Sequence, residues 1–478
     1  MTLTESSRVD PVESGAQSDG AGSPAAGIRK LLLRMHFFAG IICAPLILFA
    51  AATGLAYAFA PTLETIVYDE ALTATGEGEA KPVSELVDIA QRRHPDLDLA
   101  GIRLDDDPRA TVRVLFNDPT LPKSTSRAVF VDPRSGEITG DMTQYGSSAA
   151  LPLRQWISEG HRMAWLGQPG RLYSEIAASW LGVLAVGGVI LWWQRNRVRR
   201  TTGGAIAAML RVKGARNRVR SLRWHGATGT VIAVGLVFLT FSGLTWSSVA
   251  GDNISELRTA LNWGTPKVST DLGASGAASG SAGSGHGDHG AGESAAGSGR
   301  VRGAEIDRVA AAVDGELARP VTLTPPKEAG QAWSATENRA AYRLKNDSVA
   351  VDGATGEIVH RLLFDDWPFA AKATAWIIQL HMGTLFGIAN QIVLGGLAAA
   401  IIAMIVLGYR MWWQRRPARG DGFRLASPPA RPVRVARDWR LGVLVVAVAA
   451  YAVLAPVFGV TCLAFVVGSM VWDRLRRR

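Results

Sequence analysis

The feature that most constrains this chain is a pattern that occurs twice in its 478 residues. A histidine stands at the foot of a long apolar run. A polar segment follows, then a second histidine, a second apolar run and a Trp-Trp-Gln-Arg stop. Arg34-Met35-His36 opens one copy and Arg223-Trp224-His225 opens the other. Thr53-Gly54-Leu55 and Ser242-Gly243-Leu244 follow, each with its glycine at the same distance from the histidine. His161 precedes Trp192 of Trp192-Trp193-Gln194-Arg195 by the same interval as His381 precedes Trp412 of Trp412-Trp413-Gln414-Arg415. The later histidines and the two stops therefore share one common offset. A repeat of this length in a membrane chain predicts two bundles related by a pseudo-two-fold axis.

Composition agrees with a membrane protein: 48% of residues are hydrophobic and 19% charged. A net charge of +10 would suggest nucleic acid in a soluble chain. Here the excess sits in short segments beside apolar runs, so the positive-inside rule explains it and no nucleic-acid partner is expected. Arg195, Arg197, Arg199, Arg200, Arg211, Lys213, Arg216, Arg218, Arg220 and Arg223 fall between the second and third runs with no acidic residue among them. Cys43 and Cys462 both fall in apolar runs, which excludes a disulfide framework and a cysteine metal cluster. The N-terminal run starts too far in, and is too long, for a cleavable signal peptide.

The fold class that follows is an α-helical membrane bundle of two pseudo-symmetric halves, with two small α+β lobes outside. Expected are a disordered cytoplasmic tail over 1–27 and core membrane helices over 28–60, 173–194, 225–249 and 390–414. A basic cytoplasmic loop covers 195–224, a second covers 415–440, and a C-terminal helical hairpin covers 441–473, ending inside at the terminal arginines. The outer lobes span 61–172 and 250–389, the second lengthened by a Gly/Ser/Ala-rich linker over 273–299. Val83–Arg93 has helical apolar spacing, a helix is expected over Glu305–Leu317, and Thr111–Phe116 and Ala128–Val131 look like strands. Val131-Asp132-Pro133-Arg134-Ser135-Gly136-Glu137-Ile138 is a strand–turn–strand whose second copy is Val351 to Ile358, at the offset the later histidines share. Its glycine supplies the positive φ of a tight turn.

Imidazole ligates haem iron as a neutral donor in both oxidation states, and two axial histidines leave no open site, which favours electron transfer. One histidine near a bilayer is most simply an interfacial residue. Four at matched positions in two repeats point to haem. Topology then sets the pairing. His36 and His225 sit at inner ends of outward-running helices, and His161 and His381 precede inward-running ones. A hydrocarbon core of ~30 Å separates the two levels. His36 therefore pairs with His225 and His161 with His381. A continuous helix from His161 to Trp192 would reach about 46 Å and overshoot the membrane. Breaks are expected at Gly167, Pro169 and Gly170, and at Gly383, Gly387 and Asn390, folding the histidine back toward the bundle. Gly40, Gly54, Gly226, Gly229 and Gly243 leave room either for a macrocycle or for close helix packing. Phe37, Phe38, Trp165 and Trp224 are candidates to cover its faces. His286 and His289 read as a solvated tract, His94 and His360 as surface residues, and Asp365-Asp366 as a turn or cap.

The order of histidine, helix and Thr-Gly, the Val-Asp-x-x-x-Gly-Glu-Ile turn, and the segment Trp376-Ile377-Ile378-Gln379-Leu380-His381-Met382-Gly383-Thr384-Leu385-Phe386-Gly387 together resemble one family. It is the PepSY-associated transmembrane proteins, also called the iron-regulated membrane protein or iron-uptake factor family, to which ferric-siderophore reductases belong. The resemblance covers roughly residues 28–416. It implies PepSY-type outer lobes, two b-type haems held by His36, His225, His161 and His381, and reduction of a ferric siderophore or other ferric chelate outside a bacterial cytoplasmic membrane. The inner loops carry no dinucleotide fingerprint, so the electron donor is expected to be a separate reductase or a quinol. A cofactor-free alternative has the lobes binding peptides or proteins. A permease is disfavoured because the apolar runs lack midplane charges.

Overall fold

The computed structural model describes residues 24–197, 217–273, 303–415, 429 and 439–475. Most of the expected tail and of both cytoplasmic loops lies outside the described residues, as do the glycine-rich linker with His286 and His289 and the last three arginines. Among the described residues, four helices are long and apolar enough to cross a membrane: α2 (Ala44–Val67), α6 (Gln168–Arg197), α7 (Asn217–Leu244) and α11 (Gly387–Trp413). Each exceeds the roughly 20 residues that span a hydrocarbon core.

The single helix expected over 28–60 is two. The helix α1 (Pro24–Ile42) meets α2 at Cys43. Pro45, in the first turn of α2, has no N–H for the carbonyl of Ile41. The Tyr409 hydroxyl on α11 donates to that carbonyl at 2.8 Å, so the freed acceptor is satisfied inside the bundle. The C-terminal hairpin is α12 (Trp439–Leu454) and α13 (Pro456–Leu475). It packs on α6, where Trp180 meets Phe458 and Phe465 and its Nε1 donates to the Thr461 hydroxyl at 3.0 Å.

Outside the bundle lie α3 (Asp69–Leu72), α4 (Val83–Arg93), α5 (Pro152–Met163), α8 (Val249–Ala260), α9 (Gly303–Val313) and α10 (Phe369–Met382). The strands are β1 (Asp98–Leu104), β2 (Val112–Asn117), β3 (Thr125–Val131), β4 (Ile138–Tyr145), β5 (Val321–Thr324), β6 (Trp333–Glu337), β7 (Ser348–Val351) and β8 (Ile358–Leu362). The two lobes share one eight-stranded antiparallel sheet in the order β4-β3-β2-β1-β5-β6-β7-β8. The halves join at β1–β5, with Ile102 opposite Leu323, Arg103 opposite Thr322 and Leu104 opposite Val321.

One sheet face packs on α4 and α9. Leu86, Val87, Ile306 and Val309 meet Ile102, Val114, Phe116, Leu323, Trp333 and Val349 in one core that crosses the seam. The other face turns toward the bundle, where Leu115, Ala128 and Phe130 pack on Ala71 and Leu151. The repeated tight turns have Gly136 at φ 78° and Gly356 at φ 82°, as their sequence predicts. Asp132 caps the first: its carboxylate accepts backbone N–H groups of Thr75, Gly76, Arg134 and Ser135 at 2.7–3.1 Å.

Candidate functional site

The long interval from each later histidine to its Trp-Trp stop resolves into a short helix, a break and a long helix. Between α5 and α6 the chain turns through Ala164, Trp165 and Gly167, all at positive φ. Between α10 and α11 it turns at Gly383 (φ 77°) and Gly387 (φ 51°). The short helices lie back against the bundle and carry His161 and His381 inward.

Both expected pairs come together. The ring centres of His36 and His225 are 6.3 Å apart with planes at 88°. Those of His161 and His381 are 6.4 Å apart with planes at 46°. An imidazole nitrogen binds a metal at about 2.0–2.1 Å and its ring centre lies about 1.1 Å further on, so two rings ligating one iron from opposite sides have centres about 6.3 Å apart. The two levels are well separated along the helices. His36 and Thr53, which contacts His161, are as far apart in sequence as His225 and Ser242, which contacts His381. At ~1.5 Å per residue this separation is about 25 Å.

Three of the four rings have Nδ1 engaged. His161 Nδ1–H donates to the Ala50 carbonyl at 3.0 Å, with the Thr53 hydroxyl at 3.3 Å. His225 Nδ1–H donates to the Met404 carbonyl at 3.1 Å. His381 Nδ1 lies 2.7 Å from the Ser242 hydroxyl, whose own proton goes to the Phe238 carbonyl at 2.7 Å, so the ring donates here as well. A carbonyl has no proton to give, so this tautomer leaves Nε2 with its lone pair available, the arrangement by which ligating histidines are oriented. His36 Nδ1 is buried with no partner among the described residues. Burial lowers the pKa of both outer imidazoles, and His161 adds to the effect on His381. Both are therefore neutral donors.

The surroundings follow the repeat closely. Tyr57, four residues after Thr53, stacks on His161 with centres 6.3 Å apart and planes at 9°. Trp246, four residues after Ser242, meets His381 edge-on at 5.5 Å. These two aromatics and the two hydroxyls carry no assignment from sequence alone. The signal was present in Thr53-Gly-Leu-x-Tyr57, where i and i+4 share a helix face, and in the matching Ser242-Gly-Leu-x-Trp246, whose tryptophan sits in the turn after α7. Of the expected aromatic covers, Trp165 packs on Trp156 and Phe49, and Phe37 packs on Phe38. Gly54 abuts the His161 ring, where an added Cβ would lie 3.0 Å from it, and Gly188 stands in the same relation to His36 at 3.2 Å. Gly226 and Gly229 serve helix packing, against Trp192 and Met404. His94 hydrogen-bonds Asp141 and His360 reaches the Asp271 carbonyl, both outside the site.

A cavity opens from the outer pair. Its mostly apolar part, about 170 Å³, is lined by Ala50, Gly54, Ala58, Ala177, Ala178 and Gly243 beside both histidines, with Arg162, Arg171 and Glu175 also on the wall. Its mouth, about 240 Å³, is polar, with Arg162, Gln168, Arg171 and Asp252. The chemistry of the lining suits a porphyrin: apolar residues for the macrocycle, Arg162 and Arg171 for carboxylate side chains, and two imidazoles with free Nε2 lone pairs for its iron.

A family described as a PepSY-associated TM region matches residues 33–415, most of the chain. No curated protein matches it.

Proposed function

We propose a function from one premise: this chain belongs to the family of the PepSY-associated TM region. It is a membrane protein, with four helices long and apolar enough to cross a membrane among its described residues and an antiparallel sheet outside the bundle. Our reading is a di-haem electron carrier of a bacterial cytoplasmic membrane that reduces a ferric siderophore or other ferric chelate on the outer side. The observation that carries it is the pair of ring-centre separations, 6.3 and 6.4 Å, between symmetry-related imidazoles at two depths. The engaged Nδ1 groups support it independently, because they orient the rings.

In this reading His36 and His225 would hold the inner b-type haem and His161 and His381 the outer one, and haem held there would supply reversible one-electron transfer. The chain's own residues fix geometry and exclude water. Thr53, Ala50 and Ser242 hold the outer rings, Met404 holds His225, and Tyr57 and Trp246 cover the outer rings. A separate reductase or quinol supplies each electron. One electron converts a chelated ferric ion to ferrous, which hard oxygen ligands hold less tightly, so iron is released.

The test is the visible spectrum of the detergent-purified chain. A red protein with a sharp reduced α-band is expected, with the His225→Ala variant retaining about half the haem and His94→Ala all of it. A colourless, folded preparation from haem-replete cells would sink the reading.

A further inference from the structure

Two arginines stand opposite each other beneath the sheet. Arg103 on β1 pairs with Arg113 on β2. Their neighbours Ile102, Leu104, Val112 and Val114 belong to the core under α4 and α9, so alternation turns both arginines to the face over the bundle. Arg113 lies 5.1 Å over the Phe130 ring on that face and donates to Gln144 Oε1 at 3.3 Å. The Arg103 Nε is buried with no partner among the described residues. Like charges directly opposite in a sheet are destabilising, and burial lowers the pKa of both guanidiniums.

The second repeat does not keep this pair. Ile102–Val114 corresponds to Leu323–Ala335, and one step along each strand Arg103–Arg113 corresponds to Thr324–Ser334. The fold therefore does not need the charges. Nor do nearby groups neutralise them fully. Glu64 is committed to Arg154, at 3.0 Å, and to the Leu151 N–H at 2.8 Å, which leaves Asp105 as the further acidic neighbour of the two arginines.

Position gives the pair its meaning. The pseudo-two-fold axis passes between Ile102 and Leu323 at the seam, and the facing symmetry-related histidines also straddle it. Arg103 is thus next to the axis, outward of the outer histidine pair. Glu64 lies two turns, about 10 Å, beyond the Tyr57 that stacks on His161, which sets the scale of the gap.

We propose that Arg103 and Arg113 bind a carboxylate-bearing anion beneath the seam, and that this anion is the chelate reduced at the outer histidine site. The role of the anion rests on the electron-transfer reading; its binding does not. Two guanidiniums suit a carboxylate because each offers a planar fork of donors.

The full purified chain is titrated calorimetrically with gallium(III) citrate, a redox-inert carboxylate chelate, and with a neutral gallium tris-hydroxamate. The wild type is expected to bind the citrate complex, more weakly as salt rises. Arg103→Gln is expected to weaken it roughly tenfold. Arg103→Lys should recover part of the loss, which a folding defect would not allow, and hydroxamate binding should not follow the substitutions. Absent citrate binding in the wild type, or equal binding in the Gln variant, overturns the proposal. Loss of haem absorbance in Arg103→Gln also overturns it, since the guanidinium would then serve a haem propionate. A colourless wild type that still binds citrate through Arg103 keeps the anion site and removes the electron-transfer reading. A red wild type that does not bind removes only the anion site.

Discussion

Ser242 accepts the Nδ1 proton of His381 while giving its own proton to Phe238, so it holds the ring and fixes the tautomer. Ser242→Ala leaves that buried N–H without an acceptor, at a cost of about 1–3 kcal/mol. On the di-haem proposal, redox titration is expected to show the potential of the outer site shifted and that of the inner site unmoved. Equal shifts in both would mean that Ser242 acts on the bundle as a whole. The four histidines were legible because the later pair repeats at the same offset as the Trp-Trp stops and because each copy opens on one. The partners of their Nδ1 atoms were not, since two of the three are backbone carbonyls, which have no residue signature. The hydroxyls of Thr53 and Ser242 were visible as a motif, but their target lies on another helix, and spacing along one helix does not reveal a contact across two.

Among the helices, the junction of α1 and α2 depends on a single compensation. Pro45 frees the Ile41 carbonyl and Tyr409 satisfies it. Tyr409→Phe should lower thermal stability by about 1 kcal/mol. In a Pro45→Ala background the same change should cost much less, because the restored backbone N–H can serve that carbonyl. Melting curves of the four variants give this coupling, and purely additive costs would refute the account. The breaks before α6 and α11 were readable from Gly167 and Gly383 because a membrane of known thickness leaves no room for a straight helix from His161 to Trp192 or from His381 to Trp412. The joint between α1 and α2 was not foreseen. Apolar composition continues through Cys43 and Pro45, and composition alone does not report where a backbone bond is missing.

At the scale of the whole molecule, the β1–β5 seam makes the two lobes one cooperative body, because a single core crosses it. Ile102→Ala at the seam should cost about 2–5 kcal/mol. The fluorescence of Trp333, buried in the other half, should report the loss in the same transition. Two separate transitions would show the lobes to be independent. The strands themselves were suggested by short apolar runs. The seam was not, because pairing between strands so distant in the chain leaves no periodic trace in either.

The seam also bears on ancestry. A lone repeat would carry β1 as an uncovered edge and only half of each histidine pair, so it would be complete only as a homodimer. Identical chains around a dyad must present identical residues from either side. Covalent fusion removes that obligation, and it is fusion that permits guanidiniums at 103 and 113 where the opposite half has the hydroxyls of Thr324 and Ser334. The continuous sheet thus lets a symmetric scaffold carry different chemistry on its two sides.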